Sequence, residues 1–172
     1  NQWVLDNIIN KPVKVAKVPD VVNAIRRHGM EVGTFLVVGN IARDAVETLD
    51  QIRDSFVFCR KIKVFPHASL LTAYPGSEVL DIAKDKGYLV PGFDWDNLII
   101  QKSQLQTPLW SPAQLMNLVA KERLKTRWWL FLTSPMDTLG QLADRFARDP
   151  MATVKTIGRF LGGSFSRLVL KP

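Results

Sequence analysis

Apolar positions along residues 1–90 switch between a helical and a strand period. Over residues 19–28, Val21, Val22 and Ile25 share one helical face. Gly29 follows, the residue type that accepts the left-handed backbone of a helix end. Residues 31–38 read as a strand, and Phe35-Leu36-Val37-Val38 is apolar without alternation, as in a parallel strand buried on both faces. Val46, Leu49, Ile52 and Phe56 return to helical spacing and predict a helix over 45–59, with Asp44 as its N-cap. Residues 62–73 read as a second strand, interrupted by Pro66, which has no N–H for a ladder. Tyr74-Pro75-Gly76-Ser77 is a turn, Ser77 caps a helix that runs through Lys86, and Gly87 ends it.

This rhythm predicts an α/β fold with parallel strands and right-handed crossovers. Residues 12–18 are a candidate third strand. Two or three strands are too few for a barrel of eight, so the chain reads as one side of a larger α/β sheet. The pattern changes after residue 90. Residues 91–110 read as a connecting loop region with apolar patches at Phe93, Trp95 and Leu98-Ile99-Ile100. Residues 111–172 read as an all-helical C-terminal extension. Ser111-Pro112-Ala113-Gln114 is a capped start, with Met116, Val119, Leu124, Trp128 and Phe131 as the apolar face. Further starts fall at Ser134-Pro135 and Asp149-Pro150. The expected organisation is therefore 1–90, 91–110 and 111–172.

Composition adds limits. The 172 residues are 47% hydrophobic and 23% charged, the balance of a folded chain. Cys59 is the single cysteine, so neither an internal disulfide nor a multi-cysteine metal site forms from this sequence. The net charge of +7 is uneven. Residues 1–120 hold 13 Lys and Arg against 12 Asp and Glu, whereas residues 121–172 hold 10 against 4. A basic tail fits an anionic lipid surface, a nucleic acid, an acidic neighbouring domain or simply a solvated helix face.

Candidate chemistry is sparse. His28 and His67 have no partner at ligand spacing, Cys59 ends an amphipathic helix, and there is no Ser/His/Asp pattern or P-loop. The most suggestive places are the strand ends, Val38-Gly39-Asn40 and Leu71-Thr72-Ala73. Parallel α/β folds bind ligands there, and free backbone groups beside apolar side chains suit an adenine-like ring.

Arg26-Arg27-His28-Gly29 through Gly33-Thr34-Phe35-Leu36-Val37-Val38-Gly39 resembles a late barrel strand of radical S-adenosylmethionine enzymes. Ser69-Leu70-Leu71-Thr72-Ala73-Tyr74-Pro75-Gly76-Ser77-Glu78 resembles the strand and Pro-Tyr-Pro-Gly-Thr-like turn that follow in that family. Thr107-Pro108 and Leu109-Trp110-Ser111-Pro112-Ala113-Gln114-Leu115 are similar to the C-terminal extension of its branch with a cobalamin-binding domain, the relatives of anaerobic magnesium-protoporphyrin ester cyclase. The family's Pro-Gly-Glu-Thr turn is altered. Either Glu47-Thr48 matches its end after about four extra residues, or Ile41-Ala42-Arg43-Asp44 replaces it. The three-cysteine motif of the family is not in this sequence.

The resemblance implies that residues 1–90 are the C-terminal part of a partial (β/α) barrel, which closes one side of the barrel and holds the adenosyl group of S-adenosylmethionine. Carried over, it implicates Val37, Val38, Gly39, Asn40, Leu70, Leu71 and Thr72 as cofactor-binding, with no catalytic and no metal-ligating residue. The four-iron four-sulfur cluster, and a cobalamin where present, belong to an upstream half of the same polypeptide, which is the expected partner. The resemblance implies a small-molecule substrate, a cytoplasmic location and no activity of this chain alone; the sequence shows no aromatic-basic reading motif, so no nucleic-acid partner is expected. A barrel cut between strands further predicts exposed apolar residues along the first strand and around 88–110. The alternative is a non-catalytic interaction module, its basic Trp-rich tail over residues 121–172 resting on an anionic membrane or a partner protein.

Overall fold

The computed structural model describes residues 1–135 together with positions 140, 143, 146, 147 and 149–151. Contacts divide the chain into two units, Asn1–Trp129 and Leu130–Pro172. The expected helices beyond Ser134 fall mostly outside the described residues.

The first unit is mixed α/β. A short helical turn, α1 (Gln2–Val4), runs into a π-helical turn over Leu5–Ile9, and a 3-10 turn over Val15–Lys17 leads into α2 (Val18–Arg27). Then come β1 (Thr34–Val38), α3 (Leu49–Lys61), β2 (Pro66–Leu70) and α4 (Glu78–Asp85), and α5 (Pro112–Thr133) starts here. β1 and β2 form a parallel pair, with Thr34 opposite Pro66 and Val38 opposite Leu70.

Residues 12–18 do not supply a third strand. The Gln2 side chain donates to the Val13 carbonyl and accepts from the Val15 N–H, so backbone groups that a strand needs are already bonded within the segment. Both strands are shorter than the stretches 31–38 and 62–73 that read as strands. Pro66 opens β2 instead of interrupting it. Leu71 N–H donates to Val38 O at 2.9 Å, and the parallel pattern then turns Pro66, Ala68 and Leu70 to the other edge. Leu70 N–H accordingly reaches Ile100 O, and the N–H that proline lacks falls on that outer edge.

The expectation that β1 is buried on both faces is overturned. Val38 is buried, whereas Phe35 is 84% exposed and Val37 48% exposed. One face of the sheet packs into the core through Val38 and Leu70, among Ile52, Phe56, Leu80 and Leu115. The other face carries Phe35, Val37 and His67, all exposed. Trp95, Ile99, Ile100 and Leu109 are also exposed, as the sequence predicts for residues 88–110.

Helix starts follow their caps. α3 begins at Leu49, not at residue 45, because Thr48 and Gln51 form a reciprocal capping box, and Asp44 caps nothing. Ser77 caps α4, and the αL residues Gly76 and Gly87 bracket that helix. Ser111 and Gln114 exchange the expected bonds at the start of α5.

Two readings of the C-terminal part change. Residues 91–110 are irregular but not merely connecting. Leu105 bridges Leu89, and Leu105 and Trp110 are buried. The buried face of α5 is Leu115, Leu118, Val119, Glu122 and Thr126. Of the expected face only Val119 is buried, and Met116, Trp128 and Phe131 are exposed. Apolar residues surround this helix, so periodicity leaves the face open and an ionic contact with α3 selects it. Buried Glu122 accepts from Arg60 at 2.8 Å and Lys125 at 3.2 Å, and Arg60 also donates to Thr126 Oγ1. Burial opposes ionisation of Glu122, but these cations outweigh it and hold its carboxyl below the ordinary value.

Candidate functional site: an apolar cleft with a buried carboxylate

β1 ends in Gly39, which sits at φ 78° beneath α5 and Trp110. A Cβ there would lie 2.7 Å from Leu115 Cδ2, so glycine is required by backbone and by space. The chain then makes a short excursion. Ile41 bridges Val46, and Ala42 N–H donates to Ala45 O at 2.7 Å. Arg43 and Asp44 form its tip, and Glu47 returns beside Gly39, its N–H bonded to Asn40 O at 2.8 Å.

Glu47 is 2% exposed, and its Oε2 gathers three donors. They are Gly39 N–H at 2.9 Å, Asn40 N–H at 3.0 Å and Asn40 Nδ2 at 2.7 Å. Asn40 Nδ2 also donates to Val37 O at 2.8 Å. Trp110 Nε1–H holds the Glu47 carbonyl at 2.8 Å. Burial raises the Glu47 carboxyl above its ordinary value, and the bonds from Asn40 and Gly39 offset part of that rise.

Beside this carboxylate lies a cleft of about 760 Å³, within the roughly 300–1,000 Å³ of small-molecule sites. Val37, Asn40, Glu47 and Leu71 form its strand-end wall, and Val4, Leu5, Ile8 and Ile9 face them from the N-terminal turns. Ser55, Phe58 and Cys59 of α3 also line it. Cys59 is 2% exposed, and burial pushes its thiol up to about 11.

The sequence-derived residues separate here. Val37, Asn40 and Leu71 reach the cleft. Val38 and Leu70 point into the core, as strand alternation requires, and Gly39 is covered by Leu115 and Trp110. Thr72 borders a separate space of about 10 Å³ with Phe93 and Lys102. The free backbone groups expected at the strand ends are largely engaged: Gly39 and Asn40 N–H by Glu47, Asn40 O by Glu47 N–H, Val37 O by Asn40, and Val38 O by Leu71. The cleft therefore offers side-chain acceptors in place of backbone.

Glu47 as a polar centre of the cleft was not singled out from the sequence. Its signal is a lone acid between Ala45-Val46 and a capping threonine. The stripe Val4, Leu5, Ile8, Ile9 was equally legible at helical spacing.

His67 is exposed and lies 5.6 Å from the Phe35 ring and 5.8 Å from the Phe65 ring. Among the described residues no group of three His, Cys, Asp or Glu could hold a metal ion. These residues therefore do not fit an iron–sulfur cluster, whose irons need several thiolates. No described helix is long and apolar enough to cross a membrane. The chain matches no known family model and no curated protein sequence.

Proposed function

We propose that this chain is the adenosyl-holding part of a radical S-adenosylmethionine enzyme, its cluster being supplied by an upstream half of the same polypeptide. The observation that carries the reading is the return of Glu47 to Gly39 at the end of a parallel strand, beside a cleft of about 760 Å³. Val37 and Leu71 offer apolar contact for a flat ring, and Asn40 and Glu47 offer acceptors for its amino or hydroxyl groups. The exposed Phe35 and Val37 face supports the partner half of the reading, since parallel sheets are normally covered on both faces. The bound adenosyl group would supply radical chemistry only with the cluster. The residues here bind and orient it.

Equilibrium dialysis with labelled S-adenosylmethionine tests the reading, on this chain alone and mixed with the upstream half. Expected is weak saturable binding alone, tighter binding in the mixture, and loss of both in Leu71→Arg. No saturable binding in either sample sinks it.

A second reading draws on Trp128, 41% exposed on a helix rich in Lys and Arg. In it the chain rests on an anionic membrane or a partner protein without catalysing anything. Flotation with phosphatidylserine vesicles at low salt tests the membrane form of this reading, which requires the chain to float with the lipid.

A further inference from the structure

Glu47 has an oxygen to spare. Its Oε2 takes all three donors from Gly39 and Asn40, whereas Oε1 accepts from no described residue, although Glu47 is 2% exposed and lines the cleft. The Asn40 side-chain carbonyl likewise accepts no bond from a described residue, because its NH₂ is committed to Val37 O and Glu47. Two acceptors, one of them a carboxylate oxygen, thus belong to neighbouring residues that line the cleft together with Val4, Leu5, Ile8, Val37 and Leu71. The N-terminal segment opposite contributes Val4, Leu5, Ile8 and Ile9, together with Asn1, Asn10 and Lys11. Gln2 ties up the polar groups of its own segment through Asp6, Val13 and Val15, which leaves Val4, Leu5 and Ile8 to face the cleft. Of the two lysine and arginine side chains in the lining, Arg43 is paired with Glu78 and Asp85, and Lys11 forms no ion pair with Glu47.

We infer that this cleft binds an amphiphilic amine, its protonated nitrogen on Glu47 Oε1 and Asn40 Oδ1 and its hydrocarbon part against Val4, Leu5, Ile8 and Phe58. Charge complementarity selects this occupant. A buried carboxylate with an open lone pair gains a charge-assisted hydrogen bond from an ammonium, whereas an anion there faces repulsion in a low-dielectric wall. A neutral ligand of the same length gains the apolar contact alone. The inference goes beyond the adenosyl reading and needs no adenosyl group.

Three probes of equal chain length decide it: octylamine, 1-octanol and octanoate, each titrated calorimetrically into the full chain at pH 7. Expected is one saturable site with octylamine tighter than 1-octanol by about tenfold and octanoate weakest, the scale of one charge-assisted hydrogen bond. Glu47→Gln keeps a carbonyl oxygen for Gly39 and Asn40, and circular dichroism checks that it folds. In that variant the amine preference over 1-octanol is expected to vanish while 1-octanol binding stays. Ile8→Arg, far from the carboxylate in sequence, is expected to weaken octylamine and 1-octanol together. The inference is overturned if no probe saturates, if the three bind alike, or if a folded Glu47→Gln keeps the amine preference. Because S-adenosylmethionine is absent from these titrations, failure of the adenosyl reading leaves their outcome unchanged.

Discussion

Gly39 shows how much one residue can be asked to do. It turns the chain at φ 78° and leaves space for Leu115, so alanine there meets both a backbone penalty and a 2.7 Å contact. Gly39→Ala is expected to lower stability by about 1–3 kcal/mol, read as an earlier urea midpoint with an unchanged slope. The two buried carboxylates should titrate in opposite senses. Glu47 is raised from 4.5 in the fold, so its contribution is complete below that value and is lost as pH rises through the raised one. Glu122 is lowered from 4.5, so its contribution is present above that value and is lost as pH falls through the lowered one. Urea midpoints from pH 3 to 8 should therefore show Glu47→Gln gaining on the parent as pH rises. Glu122→Gln should lose most at neutral pH and approach the parent in acid. Cys59, buried with a thiol near 11, should resist Ellman's reagent at pH 8 in the native chain and react once urea unfolds it. Fast modification without denaturant would place that thiol on an open part of the cleft.

At the scale of elements, caps and ion pairs set limits that apolar spacing leaves loose. The helical period from Val46 begins before α3 does, and the Thr48–Gln51 box decides the true start. Thr48→Ala should cost about 1 kcal/mol, seen in thermal melts. On α5 the buried face is chosen by Arg60, which presents a guanidinium to Glu122 and Thr126. Arg60→Met removes the 2.8 Å partner of a buried carboxylate that keeps Lys125 at 3.2 Å and Arg53 at 4.0 Å, so it should cost about 1–3 kcal/mol. Arg60→Met combined with Glu122→Leu should recover most of that loss, and a double variant no better than the single one would show that the pair does not fix the helix.

At the scale of the first unit, a two-stranded parallel sheet with one covered face is an unusual thing to leave in water. Phe35 at 84% exposure contributes little to the folded chain. Phe35→Ser is therefore expected to change the urea midpoint by less than about 0.5 kcal/mol. Under the radical-enzyme reading the same variant should weaken pull-down of the upstream half. A large loss of stability would instead mean that Phe35 packs within this chain.

Sequence alone determined the order of helices and parallel strands, the helix-ending glycines Gly29 and Gly87, the turn at Gly76, and the capped starts at Ser77 and Ser111. These rest on interactions within a few residues, which spacing and residue type make legible. Tertiary structure decided which side of each element is buried and which groups meet. Val37 and Val38 look alike in sequence, yet one reaches the cleft and the other the core. Residues 12–18 were diverted from a strand by the distant end of Gln2. Glu47 became a buried acceptor because an excursion at Arg43-Asp44 folds back on Gly39 and Trp110 locks its carbonyl. Such contacts join residues far apart along the chain, and their energies depend on burial that no local pattern records.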